Sequence, residues 1–475
     1  MKRQENRRDA YTRLLLLLAF LIGFNLLLGS VLNGAVSDSV PRQKMVASFG
    51  TFIGRYGNGA YYAEDLNNGS IYGTDWNYAS TLINDAIERT SAHEGGGAVQ
   101  IDSGVFLVNE TIVPKSNVYL RVSPLAIIYE KTPVSLDSSI SLVACSNVQN
   151  FTLDGGTWDA NKGFLSDHRD TGTWHKNFNK YLGIAFYGGS NNGIIIKNIV
   201  LKNVIGHGID FMSVSDGYIC NCVAINSGDN PITVESTSTS FNSNTTVLNC
   251  TVIGGQDVGI NAAAVSNVTI QGCTVINVTQ HRDGSHWGIA AEYSTNIAII
   301  GNNVSDCDYD IVSTSDNVLI ADNIIDGAHS TNVNFGILIA TAHNNIVRNN
   351  VIKNVIQTLG TYGSNQTFNT QFIDNTCGVG STATNGGRTV IGGTNVTILG
   401  GEIYSTDPDG CISLRGADAV NIIEVTFAGA NGIGDYGLRS NSVYITQCNF
   451  TGLTGTKVLL VECQNVNLWN NIGIV

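Results

Sequence analysis

A nine-residue phrase returns along this chain, and its return restricts the fold more than any other feature. It reads Asn267-Val-Thr-Ile-Gln-Gly-Cys-Thr-Val275 and recurs at Asn296–Val304, Asn317–Ile325 and Asn395–Ile403. An Asn opens the phrase, apolar residues follow at alternating positions, and a Cys, Asn or Gly sits between the last two. That slot is filled by Gly156, Ile199, Cys222, Cys250, Cys273, Asn302, Asn323, Asn350, Asn375, Gly401, Val425, Cys448 and Asn471. After a first gap about twice as long, the slots fall roughly 20 to 30 residues apart, the period of a solenoid repeat.

A period of two inside each phrase marks a strand with one buried face. The repeat is too short for a strand, a helix and a return. It fits one coil of a right-handed parallel β-helix, in which short strands are separated by tight turns and pair with their equivalents in the next coil. The slot then stacks into an interior column, where Asn amides bond along the axis and Cys serves as a small apolar filler. A second column agrees: Ile184, Ile209, Ile232, Ile260, Ile289, Ile311 and Ile337 each follow a residue that is usually Gly. The expected fold class is an all-β, single-stranded right-handed parallel β-helix.

Such a fold explains a charged fraction of only 13%, because its surface is polar through Asn, Ser and Thr. The net charge of −13, with few Lys or Arg beyond the N-terminus, argues against nucleic acid and anionic membrane surfaces as partners. Strongly anionic polymers are disfavoured too, unless a basic patch or Ca²⁺ intervenes. Of the ten cysteines, Cys222, Cys250, Cys273 and Cys448 fall in the stacked slot, where buried free thiols are expected. A Cys222–Cys250 or Cys250–Cys273 disulfide is the alternative. The close pair Cys220 and Cys222 is C-x-C, which does not make a zinc site.

Residues 1–13 form a basic flank with Lys2, Arg3, Arg7, Arg8 and Arg13, and Leu14–Leu32 is almost purely apolar. About twenty such residues span a bilayer. The expectation is a membrane anchor with the basic end inside and the remainder outside the cytoplasm. A cleaved signal segment, with Gly29, Ser30, Gly34 and Ala35 near the cut, would make the protein secreted instead. Residues 33–74 read as an irregular stalk and entry segment, 75–140 as a capping helix with the first coils, and 141–475 as the β-helix. Ala79, Leu82, Ile83, Ala86 and Ile87 share one helical face, with Asp75 or Asn77 as cap and Gly95-Gly-Gly as the stop. Strands at Ala98–Ile101 and Val105–Val108 follow. An amphipathic helix there would cover the open end of the solenoid.

The run Gly73-Thr-Asp75, the helix, Gly96-Gly-Ala-Val-Gln-Ile101 and Gly104-Val-Phe-Leu-Val108 resembles the entry module of the pectate-lyase-like β-helix superfamily. That resemblance implies action on polysaccharide, since the superfamily holds lyases, glycoside hydrolases, epimerases and phage tailspikes. Two further loops are similar to those of its polygalacturonases. Gly206-His-Gly-Ile-Asp210 stands where that family has Asn-Thr-Asp-Gly-Ile-Asp, and Ser227-Gly-Asp-Asn230 where it has Gly-Asp-Asp. Asp229 thus matches one family carboxylate, while His207 and Asn230 replace two others. The family's Gly-His-Gly is Asp257-Val-Gly259 here, and its Arg-Ile-Lys is Gly288-Ile-Ala290. The resemblance implies the same groove with much of the machinery changed.

Parity from the isoleucine column turns Asp210, Thr233 and Asn261 outward, with Glu235 and Glu292 two positions further along and two coils apart. At about 4.8 Å per coil the two glutamates are roughly 9 to 10 Å apart. Inverting glycosidases hold two carboxylates about 6.5–9.5 Å apart. His207 and Asp229 lie in turns, where strand parity gives no direction. The polar loop Gln280-His-Arg-Asp-Gly-Ser-His-Trp287 enters its coil on the same side. The insertion at 159–182, with Trp174 and His175, is expected to roof the groove. The residues expected to carry chemistry are Asp229, His207, Asp210 and Glu235. Those expected to bind substrate are Asp257, Asn261, His281, Arg282, Asp283, His286, Trp287, Glu292, Trp174 and His175. For any one of them the alternative is an ordinary exposed loop residue.

The function these features favour is a glycan-active enzyme, a glycoside hydrolase before a polysaccharide lyase. A non-catalytic surface β-helix that binds glycan or protein is the rival. No cofactor is required and no metal ligand set stands out; a lyase reading, with Arg282 as base, would bring in Ca²⁺. The sequence does not decide the oligomeric state.

Overall fold

The structure is a computed structural model. It describes residues 50–473 except 132–140, 162–181, 189, 238–240, 279–285, 328–334, 363–366, 379–385 and 436–438. The basic flank, the apolar run 14–32, Trp174, His175, His281, Arg282 and Asp283 therefore lie outside the described residues. No helix among those described is long and apolar enough to cross a membrane.

The chain winds into a right-handed parallel β-solenoid. Three sheets run along it, of eighteen, fourteen and thirteen strands among the described residues. One coil gives one strand to each sheet. Val265–Gln271, Thr274–Val278 and Trp287–Glu292 pair in turn with Thr295–Ile300, Asn303–Ser305 and Tyr309–Ser313 of the next coil. The expected isoleucine column is a single register line through the thirteen-stranded sheet, from Ile184 to Ile337.

The slot column is interior as well. Cys222, Cys250, Cys273, Asn302, Asn323 and Asn350 are all buried. In its middle the Asn side chains form a ladder: the Asn302, Asn323 and Asn350 amides donate to Asn323, Asn350 and Asn375 Oδ1 at 3.0, 2.9 and 2.9 Å. The same oxygens take the backbone N–H of the preceding slot residue at 2.9, 3.0 and 3.0 Å. An Asn in this slot thus satisfies a backbone group that would otherwise be buried without a partner. All ten cysteines are free thiols, so neither candidate disulfide forms.

The Asn that opens each phrase has a different task. Asn267, Asn296, Asn317 and Asn395 have φ between 56° and 59°. Asn tolerates the left-handed region better than other side chains with a Cβ, so it marks the turn into the strand. Their exposed side chains also bond from coil to coil, as Asn267 Nδ2 does to Asn242 Oδ1 at 2.8 Å.

The entry segment is more ordered than its sequence suggested. Gly50–Arg55, Tyr61–Asp65 and Ser70–Asp75 form an antiparallel meander, and its first strand pairs in parallel with Gly97–Ile101. The part of the stalk from residue 50 onward is therefore sheet. Helix α1, Ser80–Ser91, buries Leu82, Ile83, Ala86 and Ile87. It has no side-chain cap; Asp75 instead accepts the N–H groups of Asn77 and Tyr78 in the turn ahead of it.

Candidate functional site

The thirteen-stranded sheet alternates between core and outer face. Ile209 and Phe211 point into the core, so Asp210 between them points out. Asp210, Thr233, Asn261 and Ala290 are successive register partners along the outer row, with Ala185 before them. Two residues along, Met212, Glu235, Ala263 and Glu292 form a parallel row. Both rows stand as parity required. The outer row is nevertheless buried: Asp210 is 1% exposed, Thr233 0% and Asn261 3%.

The turns leading into these strands add His207 and Asp229. The turns stack because backbone pairs with backbone: Gly183 N–H donates to His207 O and Gly208 N–H to Asn230 O, both at 2.9 Å. Gly208 allows this approach, since a Cβ there would lie 2.3 Å from Pro231 O. His207 is thereby set between two carboxylates. Its Nδ1 is 3.4 Å from Asp210 Oδ2 and its Nε2 is 3.4 Å from Asp229 Oδ2. Burial works against a charged imidazole, but the two acids outweigh it, and the His207 pKa is raised well above its ordinary value.

Glu235 completes the cluster. Burial, then the nearby Asp210 carboxylate, raises its pKa to about 7 despite the opposing pull of His207. Burial raises the Glu292 pKa as well, offset in part by the Asn261 amide, which donates to Glu292 Oε2 at 2.6 Å. Several polar atoms here are buried without a hydrogen-bond partner: both Asp210 carboxylate oxygens, His207 Nδ1, Ser227 Oγ, Thr233 Oγ1 and Asn261 Oδ1. Buried polar atoms are ordinarily bonded, and this concentration of exceptions makes the face the candidate site.

The structure thus brings His207, Asp210, Asp229 and Glu235 together, with Asn261 and Glu292 continuing the same face. Asp257 and Trp287 join by backbone, Trp287 N–H donating to Asp257 O at 3.0 Å, in the turn leading into the Trp287–Glu292 strand. His286 departs from the sequence expectation. It is 3% exposed, and its Nδ1 lies 2.9 Å from Asp308 Oδ2, a pairing the sequence did not suggest. Asn230, which replaces a family carboxylate, has a structural task too: its Oδ1 accepts Val258 N–H at 2.9 Å.

The sequence reading passed over two aromatics. Trp287, Tyr309 and Phe335 are register partners on successive coils, and the last two rings stack at 5.6 Å. The signal was present, because each stands two residues before an isoleucine of the stacked column. So does His207, which places the aromatic ladder in line with it.

Residues 240–399 match a family described as the right handed beta helix region. No curated protein matches the chain in sequence. Among solved structures, the mannuronan C-5 epimerase AlgE4 A-module of Azotobacter vinelandii is 14% identical, with a TM-score of 0.41, over 83% of this chain and 94% of that one. The Dettilon tailspike protein is 12% identical, with a TM-score of 0.47, over 81% and 65%. The family 28 exopolygalacturonase of Yersinia enterocolitica is 12% identical, with a TM-score of 0.37, over 86% and 83%. The resemblance drawn from the sequence holds at the level of the right-handed parallel β-helix.

Proposed function

We propose that this β-helix protein is a polysaccharide-active enzyme that cleaves a glycosidic bond at the outer face of the coils beginning at Gly208, Pro231, Gly259 and Gly288. One observation carries the reading. On a scaffold with few charges, His207, Asp210, Asp229 and Glu235 converge on one face, next to buried polar atoms that make no hydrogen bond among the described residues. Asp229 is the first carboxylate we assign, because it keeps a family match and lies in the cluster. Asn261 and Glu292 extend the face along the axis, and Trp287 offers a ring for stacking on a sugar. Hydrolysis fits this face better than lyase chemistry. The lyase alternative would take Arg282 as its base and set Ca²⁺ on the Asp210, Asp229 and Glu235 carboxylates, the groups that hydrolysis uses as acid and base.

In this reading α1 closes the N-terminal end of the solenoid, and Leu14–Leu32 anchors the protein with the β-helix outside the cytoplasm. Protease added to intact cells should then digest the β-helix or shift its size. Protection until lysis would remove the topological part of the proposal.

The activity is tested by incubating residues 46–475 with a panel of neutral and acidic polysaccharides. New reducing ends without unsaturated products are expected. Unsaturated products would move the assignment to a lyase. Saturable glycan binding with no product would make the protein a binding module.

A further inference from the structure

We infer that His207, Asp210 and Glu235 form a binding site for a divalent first-row transition ion, Zn²⁺ or Mn²⁺, with Asp229 as the carboxylate that orients the histidine. This goes beyond the glycan reading and does not depend on it.

One ligand atom from each of the three residues lies within 4.8 Å of the other two, the one such group of His, Cys, Asp and Glu among the described residues. The separation of His207 and Asp210 is informative. Nδ1 and Oδ2 are 3.4 Å apart, yet neither makes a hydrogen bond. Two ligands at about 2.1 Å from a tetrahedral ion lie about 3.4 Å apart. They face each other without needing the angle of a hydrogen bond.

Asp210 supplies the second observation. It is 1% exposed and neither carboxylate oxygen has a hydrogen-bond partner. Asp159, also buried, shows what the fold does with an ordinary acid. Its side chain takes the Asn161 N–H, the Asn203 amide and the Lys202 ammonium. Leaving a carboxylate in Asp210's position costs several kcal/mol unless a cation compensates it. His207, shared with Asp229, supplies part of that compensation at most.

The other side of the imidazole fits the same reading. A metal-bound histidine almost always gives its second ring N–H to a carboxylate or carbonyl. His207 Nε2 faces Asp229 Oδ2 at 3.4 Å and leaves Nδ1 for the ion. Further along the row, the Asn261 amide nitrogen is committed to Glu292, and its Oδ1 remains unpartnered beside Thr233 Oγ1. These oxygens can hold water on the ion. One imidazole and two carboxylates select Zn²⁺ or Mn²⁺ over Ca²⁺, which takes oxygen ligands alone.

The test uses chelator-stripped protein without any glycan. Calorimetric titration with ZnCl₂ and MnCl₂ should show one ion per chain. Co²⁺ should give the visible absorption of a nitrogen- and oxygen-ligated site. His207→Ala, Asp210→Asn and Glu235→Gln should each weaken binding at least 100-fold with an unchanged circular dichroism spectrum. Asp229→Asn should weaken it about 10- to 100-fold, the usual cost of losing an orienting carboxylate. No binding to the wild type overturns the site, as does full affinity in the folded His207→Ala and Glu235→Gln variants. Displacement of the ion by equimolar Ca²⁺ overturns the nitrogen ligand. A protein that binds the ion but cleaves no polysaccharide refutes only the glycan reading.

Discussion

Two carboxyl groups show how strongly position governs an acid in this fold. Asp229 sits in a turn at the edge of the cluster, partly open to solvent, and is paired with His207. Removing a required acid or base usually costs about 10²–10⁴-fold in rate. Asp229→Asn and His207→Ala should therefore lower turnover by that much while the melting curve hardly moves. Unaltered rates in both would refute the assignment. Asp310 is the contrasting case. It occupies the position before the stacked isoleucine, where Gly208, Gly259, Gly288 and Gly336 stand in other coils, and it is fully buried. Its Oδ1 takes Cys307 N–H at 3.4 Å, and its Oδ2 has no hydrogen-bond partner. Burial raises its pKa well above the ordinary value, and Asp306, Asp326 and Asp308 add to the rise. The folded state then keeps the proton after the unfolded state, with a pKa of about 3.9, has released it. From about pH 4 upward the wild type should lose up to about 1.4 kcal/mol of stability per pH unit, until the folded carboxyl itself ionises. Asp310→Asn abolishes this loss. Its melting temperature should pull ahead of the wild type's as pH rises from 4 to 7, and a constant difference would mean that Asp310 titrates normally.

Most elements were legible because their residues repeat. Strand and register followed from the period of two and from the Ile and slot columns, which only a parallel stack brings into line. The meander at Gly50–Asp75 was not read, although Asn58-Gly59 and Asn68-Gly69 are turn signals between its strands. It occurs once, so no second copy reinforced it. The site was half legible for a related reason. Asp210, Thr233, Asn261, Glu235 and Glu292 lie on strands, where parity fixes direction. His207 and Asp229 lie in turns, and only the stacking of two turns brings them face to face. The Asn ladder is the element that makes the repeat most testable. Asn323→Ala would strip a partner from the Asn302 N–H and amide and from Asn350 Oδ1 and Ile299 O, all inside the solenoid. Each buried polar group left unsatisfied costs about 1–3 kcal/mol, so a loss of about 3 kcal/mol or more is expected in urea unfolding. The exposed Asn344 bonds Asn317 Oδ1 at 3.3 Å and has φ of 58°. Asn344→Gly keeps that conformation and should cost less than about 1 kcal/mol. Equal losses in the two variants would mean that the interior ladder adds nothing beyond the turn.

A solenoid is held coil to coil, so its stability is a sum of neighbour terms and each end has one neighbour fewer. The two ends of this one differ. At the N-terminal end α1 lays Leu82, Ile83, Ala86 and Ile87 against the core, and the meander extends the sheet that Gly97–Ile101 would otherwise edge. At the C-terminal end of the described residues Val458–Leu459 and Asn467–Trp469 each pair on one side within their sheets, and Asn449–Leu453 has beyond it only the bridge from Asn449 to Ile472. Val461, Trp469 and Ile472 are 75%, 65% and 62% exposed there. These strands bury little apolar surface and leave much of their backbone to solvent, the features of a region that opens locally at low free energy. The coils of the site lie between the ends, with paired strands on both sides. Amide hydrogen exchange should therefore be graded along the axis. Protection should be greatest through Ile260, Ile289 and Ile311 and fall steadily from Val443 to Trp469, while the Gly97–Ile101 strand stays protected by the meander. An ion at His207, Asp210 and Glu235 would tie together two adjacent coils, so adding Zn²⁺ should slow exchange at Ile209–Met212 and Ile232–Glu235 and leave Asn441–Thr446 unchanged. Uniform protection from one end to the other would show that the molecule opens as a single cooperative unit, and the coil-by-coil account of its stability would be wrong.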